Sequence, residues 1–75
     1  AAKGVALAQM MLGQMYFKGE GVSQNYVQAY KWFYIAAETG DPLAQKALKI
    51  TAKCMTQHQI VEAIRLAKEE KITKK

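Results

Sequence analysis

A chain of 75 residues has room for one small domain with one modest core, and 51% apolar content with a single proline speaks against disorder. No apolar run approaches the roughly 20 residues of a membrane-spanning helix, which excludes insertion into a bilayer. The net charge of +5 raises the question of nucleic acid, but the basic residues are too dispersed to make a recognition motif, so no nucleic-acid partner is expected.

The first predicted helix runs from Val5 to about Lys18. Ala8, Met11, Leu12, Met15 and Tyr16 recur at helical spacing and are expected to form its buried stripe. Gly13 lies beside that stripe. Its helix cost of about 1 kcal/mol relative to alanine points to a packing reason, the close approach of a neighbour. Gly19-Glu20-Gly21 ends the helix, because glycine tolerates the left-handed conformation there, and Val22 plugs the turn.

The second helix is expected to start near Ser23, as N-cap, and to end at Thr39-Gly40. Tyr26, Ala29, Tyr30, Phe33 and Ala37 make one apolar stripe, and Trp32, Ile35 and Ala36 another. A helix apolar on two sides is sandwiched between neighbours, so its aromatic residues are read as core.

Asp41-Pro42 opens the third helix: Asp41 caps the free N–H groups and Pro42 suits the first turn. This helix carries Lys46, Lys49 and Lys53 on one face, within about 60° of each other. Residues 42 to 61 contain no acid. The Thr56-Gln57-His58-Gln59 segment is a capping box, and a fourth helix follows from about Gln57 to Lys71. Ile60, Ala63, Ile64 and Ala67 give it a single apolar stripe with a charged outer side, the character of a terminal cap.

Shifted by 36 residues, Ala1 falls on Ala37, Gly4 on Gly40, Leu7-Ala8-Gln9 on Leu43-Ala44-Gln45, and Leu12 on Leu48. The match then fails: Gly13 falls on Lys49, Tyr16 on Ala52 and Gly19 on Met55. A period of this length marks a solenoid. The expected class is all-α, an α/α solenoid of antiparallel helix pairs with about four helices. Residues 1–4 read as the end of a preceding unit, 5–40 as one full repeat, 41–54 as a partial repeat, and 55–75 as a C-terminal capping helix with a basic tail. The chain is therefore expected to be a piece of a longer array, and its compartment is not assigned.

Chemistry is sparse. Cys54 has no disulfide partner and reads as a small buried hydrophobe. Cys54 and His58 are four apart, but the capping box at Thr56 interrupts any common helix, and further zinc ligands are missing. No orienting Asn or Asp accompanies them as nucleophile and base. The glycines lack the Lys-Ser/Thr of a phosphate loop. No catalytic residue, metal or cofactor is assigned, and the chain is read as a non-enzyme.

The pattern Ala8-x3-Leu12-Gly13-x2-Tyr16-x2-Gly19-x-Gly21-Val22-x2-Asn25-x3-Ala29-x2-Trp32-x3-Ala36-Ala37-x2-Gly40 resembles the Sel-one-like (Sel1-like) repeat, a relative of the tetratricopeptide repeat. The family usually has Asp where Asn25 stands and Lys where Gln28 stands. The segment Met55 to Ala67 is similar to the closing helix of many bacterial members. There, Pro-Glu is common where this chain has Gln57-His58. The resemblance implies a right-handed superhelix and a role as scaffold or adaptor binding a partner protein or peptide on the concave face. Aligned with the related units, that face takes Leu7, Met10, Gln14, Phe17 and Lys18 from the first helix. The 36-residue shift adds Leu43, Lys46, Ile50 and Lys53. Exposed Met10 and Phe17 beside Lys18, Lys46 and Lys53 would suit an acidic, partly apolar peptide. Two alternatives stand beside it: a small-ligand or cell-wall-related hydrolase fragment, and electrostatic binding to an anionic surface through Lys46, Lys49 and Lys53. An apolar front face on the first helix would also favour self-association.

Overall fold

The computed structural model describes residues 2–38 and 40–73, with side chains for 7–38 and 40–69. Four helices follow in order: α1 (Ala2–Lys18), α2 (Tyr26–Ala37), α3 (Pro42–Ala52) and α4 (Gln57–Thr73). No strand occurs among the described residues. The helix α2 is the hub. It packs against α1, α3 and α4, while α1 with α3 and α3 with α4 barely touch among the described residues. The two apolar stripes of α2 explain this: Ala29, Phe33, Ile35 and Ala36 are all buried. A Cα radius of gyration of 11.3 Å is that of one globular body of this length, about 11 Å.

Local signals set the helix ends. Gly19 and Gly21 have φ of +74° and +77°, so only glycine takes these turn positions without strain. The Asn25 N–H donates to the Tyr16 carbonyl (2.9 Å), and Gln24 Nε2 donates to the Phe17 carbonyl (2.9 Å), tying the turn back onto the end of α1. Asn25, not Ser23, is the N-cap of α2. Its backbone is extended and its Oδ1 accepts from the Gln28 N–H at 3.1 Å. The turn runs two residues further than the expected cap at Ser23, so the helix begins at Tyr26. It ends at Ala37 with Glu38 as C-cap; the expected end at Thr39 lies outside the described residues. Asp41 caps α3 as expected, its Oδ1 accepting from the Leu43 N–H at 2.9 Å, with Pro42 in the first turn. The capping box of α4 is complete: Thr56 N–H donates to Gln59 Oε1 (3.0 Å), and Gln59 N–H donates to Thr56 Oγ1 (3.2 Å).

The face of α1 turned inward differs from the expected stripe. Gln9, Met10 and Gly13 are buried, whereas Ala8, Met11 and Leu12 are exposed and Met15 and Tyr16 half-buried. The helix is rotated so that Gly13 meets α2. A Cβ built on Gly13 would lie 2.6 Å from Cε1 of Phe33, so the ring occupies the space a side chain would need. That contact chooses the inward face. Hydrophobicity alone would have chosen the Met11–Leu12 side. Cys54 is a second correction: it is exposed, in the turn after α3, rather than a buried hydrophobe.

Small residues dominate the interior. Ala29, Ala36, Ala44, Ala63 and Ala67 have no exposed surface, and the largest side chain under 2% exposed is Thr51. Thr51 satisfies its hydroxyl by donating to the Ala47 carbonyl (2.8 Å). Met10, Ala36 and Ala44 form one cluster that joins α1, α2 and α3. Alanines bury little area each, so stability rests on close helix approach and on the few large side chains, Phe33 and Met10 above all. The Gln9 Oε1 is buried with no partner among the described residues, a local cost of about 1–3 kcal/mol.

Candidate functional site

Because α1 and α3 both pack on α2 yet barely meet each other, an open groove runs between them. Its lining is Gln14, Phe17 and Lys18 from α1, Phe33 from α2, and Ala47, Ile50 and Thr51 from α3, around about 200 Å³. The floor is the Phe33 ring that Gly13 admits. Phe17 is held at one side by Tyr26, ring centroids 5.6 Å apart. Thr51 lines the groove with its hydroxyl already bonded.

Four of the residues assigned from sequence, Gln14, Phe17, Lys18 and Ile50, meet in this groove. Leu7 lies on the same side of α1 as Gln14 and Lys18 and is exposed. Lys46 and Lys53 are exposed one turn to either side of Ile50 on α3, along the rim. Met10 does not belong to the surface: at 7% exposure it is core, packed with Ala36 and Ala44. Phe17 is half-buried rather than exposed, because its ring leans on Tyr26. Sequence reading missed Phe33, Ala47 and Thr51, which only the packing of three helices brings together. It also missed Met11. Leu7, Met11, Gln14 and Lys18 succeed each other at i, i+4, i+7 and i+11, a ridge that became visible once the rotation of α1 was known.

Among the described side chains, six large hydrophobics remain exposed: Leu7, Met11 and Leu12 on α1, Leu43 and Ile50 on α3, and Val61 on α4. Leu7, Met11, Leu43 and Ile50 lie on the groove sides of α1 and α3, whereas Leu12 lies on the opposite side of α1.

The basic face of α3 has a structural counterpart. Moved back by 36 residues, Lys46, Lys49 and Lys53 fall on Met10, Gly13 and Phe17, the side that α1 turns toward the rest of the fold. In α3 that side is uncovered, and all three lysines are exposed. No ion pair joins them or Lys18 to an acid among the described residues, whereas Arg65 pairs with Glu69 on α4 (3.1 Å).

Elsewhere the surface offers less chemistry. His58, Val61, Glu62 and Arg65 flank a shallow depression on the outer side of α4. Tyr30 stacks on Tyr34 at 6.4 Å, and burial together with the neighbouring Tyr34 raises its pKa above 10.0. Among the described residues no group of three or more His, Cys, Asp or Glu side chains could hold a metal ion, and no helix is long and apolar enough to cross a membrane.

Residues 6–41 match the Sel1 repeat. The match spans just under half of the chain and covers α1, the turn, α2 and the junction to α3. Sel1 repeats generally mediate protein–protein interactions and generally are not enzymes. Comparison with curated proteins and with solved structures gave no match.

Proposed function

We propose that this chain is a protein-interaction module whose Sel1 repeat presents the α1/α3 groove to a segment of a partner protein. One observation carries the reading: an open groove between α1 and α3 is floored by Phe33 and walled by Phe17, Ala47 and Ile50, with exposed Leu7, Met11 and Leu43 beside it. A volume of about 200 Å³ is below the roughly 300 Å³ at which small-molecule pockets begin, so the groove suits a side chain presented by another polypeptide. The binding residues are Leu7, Met11, Gln14, Phe17, Lys18 and Ile50, with Lys46 and Lys53 on the rim.

The lysines also support reading residues 41–75 as the closing end of an array, a partial repeat followed by a cap. A helix packed on α3 as α2 packs on α1 would bury three ammonium groups, each at a cost of several kcal/mol. A solvated face is the alternative that needs no compensation.

Position-specific crosslinking tests the groove. A photo-reactive residue at Gln14 or Ile50, in the protein expressed in its own cells, should trap one defined partner. The same group at Val61, equally apolar and exposed on α4, should not. Adducts at Val61 alone would refute the groove reading.

A further inference from the structure

Resting on the groove reading, we infer that the partner segment is an acidic peptide anchored by a single large apolar side chain. Size sets the anchor. Apolar cavities of about 150 Å³ accept a benzene ring, so the roughly 200 Å³ over Phe33 has room for a leucine or phenylalanine side chain. The walls fit that side chain: Phe17, Phe33, Ala47 and Ile50 are apolar, and Thr51 presents no unpaired hydroxyl.

Charge sets the flanks. Lys18 lines the groove, and Lys46 and Lys53 stand one turn to either side of Ile50. No acid lines the groove, and none occurs between residues 42 and 61. Among the described residues no ion pair compensates the positive charge along the rim. A segment with carboxylates on both sides of its anchor meets an ammonium at each end, whereas a basic segment meets like charge. A second copy of this chain is disfavoured on the same ground. It carries +5, and its only adjacent acids, Glu69-Glu70, are bracketed by Lys68 and Lys71.

The test uses the 75-residue chain and three fluorescein-labelled peptides read by anisotropy. One has a central leucine between glutamates, one has lysine for every glutamate, and one keeps the glutamates with serine for leucine. The acidic leucine peptide should bind, with the lysine version weaker by at least about tenfold and the serine version by several-fold. Its affinity should fall by about tenfold from roughly 50 to roughly 500 mM NaCl, as the screening length shrinks. Amide shifts should move at Gln14, Lys18, Ala47 and Ile50. Lys46→Glu with Lys53→Glu should abolish binding, Ile50→Glu should weaken it, and Lys68→Glu on α4 should leave it unchanged, with circular dichroism confirming that each variant stays folded.

Equal binding of the lysine peptide, or shifts confined to α4, would overturn the inference. Equal binding of the serine peptide, accompanied by binding to phosphatidylserine vesicles, would show a general anionic surface instead. Concentration-dependent self-association that Met11→Glu abolishes would make a second copy the occupant. If groove crosslinks form while none of the peptides binds, the acidic-anchor inference fails and the groove reading stands.

Discussion

The helices α1 and α2 meet across Gly13, where the Phe33 ring fills the space of a missing side chain. The helices α3 and α4 have Lys49 at the matched position, and they barely touch; α4 packs on α2 instead. The first helices of the two pairs share a register up to Leu48, after which Gly13, Tyr16 and Gly19 give way to Lys49, Ala52 and Met55. A hairpin of helices closes where a glycine lets an aromatic ring in, and stays open where a lysine must reach water. A second contrast runs along the same register. Leu7 and Leu43 are equally exposed, at 62% and 63%, yet Ala8 is exposed where Ala44 has no exposed surface. Gln9 is buried while Gln45 is exposed. The identical tripeptide has different surroundings because Ala44 packs on Met10 and Ala36, and no described element stands in that relation to Ala8. Burial at a repeat position is thus a property of the neighbour, not of the residue.

The largest effect should come from Phe33→Ala, which removes the ring that joins the first pair. It should cost about 3–5 kcal/mol, a large share of the roughly 4–11 kcal/mol expected of a chain this size. Urea midpoints at constant m-value measure it. Next, Gly13→Val should cost about 1–3 kcal/mol, whereas Lys49→Val should stay within about 0.5 kcal/mol. Equal costs would break the comparison of the two pairs. In a Phe33→Ala background the cost of Gly13→Val should shrink by about 1 kcal/mol, since the two compete for one space. At the shared tripeptide, Ala44→Leu should destabilise by about 1–3 kcal/mol and Ala8→Leu by no more than about 0.5 kcal/mol. A smaller contrast separates the two possible caps of α2. Asn25→Ala should lose about 1 kcal/mol, and Ser23→Ala should be within about 0.5 kcal/mol of the parent.

The smallest effect is a pH dependence. Tyr30 has its folded pKa raised above 10.0, mainly by burial and then by Tyr34. The folded state therefore holds that proton more tightly than the unfolded chain. Its contribution is fully present below pH 10 and is lost as pH rises through the folded pKa. The pH-dependent loss above that point should be shallower in Tyr30→Phe than in the parent; identical curves would place the proton uptake elsewhere.

Several features were legible in the sequence because they are local. The glycine turn, the Asp41-Pro42 start of α3 and the Thr56/Gln59 capping box each rest on residues a few positions apart, and backbone hydrogen bonds enforce them. Gly13 announced a close approach without naming the neighbour. The rotation of α1 was not legible. Its sequence offers apolar residues on two sides, Met10 and Phe17 on one, Met11 and Leu12 on the other. This is why Met10 was placed on the surface and Met11 in the core. The groove was half legible: Gln14, Phe17 and Lys18 came from the resemblance to tetratricopeptide-related units and Ile50 from the 36-residue shift, while Phe33, Ala47 and Thr51 required three helices in place. Cys54 misled because a thiol is usually buried, but here it falls in the turn between α3 and α4.

By itself, the sequence determined four helices, the N-caps of α3 and α4, the repeat register and the point where the register breaks, because capping, glycine conformation and helical periodicity act over a few residues. The tertiary structure alone decided which side of α1 faces inward, which of two identical tripeptides is covered, and that α1 and α3 stand apart over Phe33. Those outcomes depend on how closely helices far apart in the chain can approach, which is a matter of matched side-chain volumes, and no single segment contains that information.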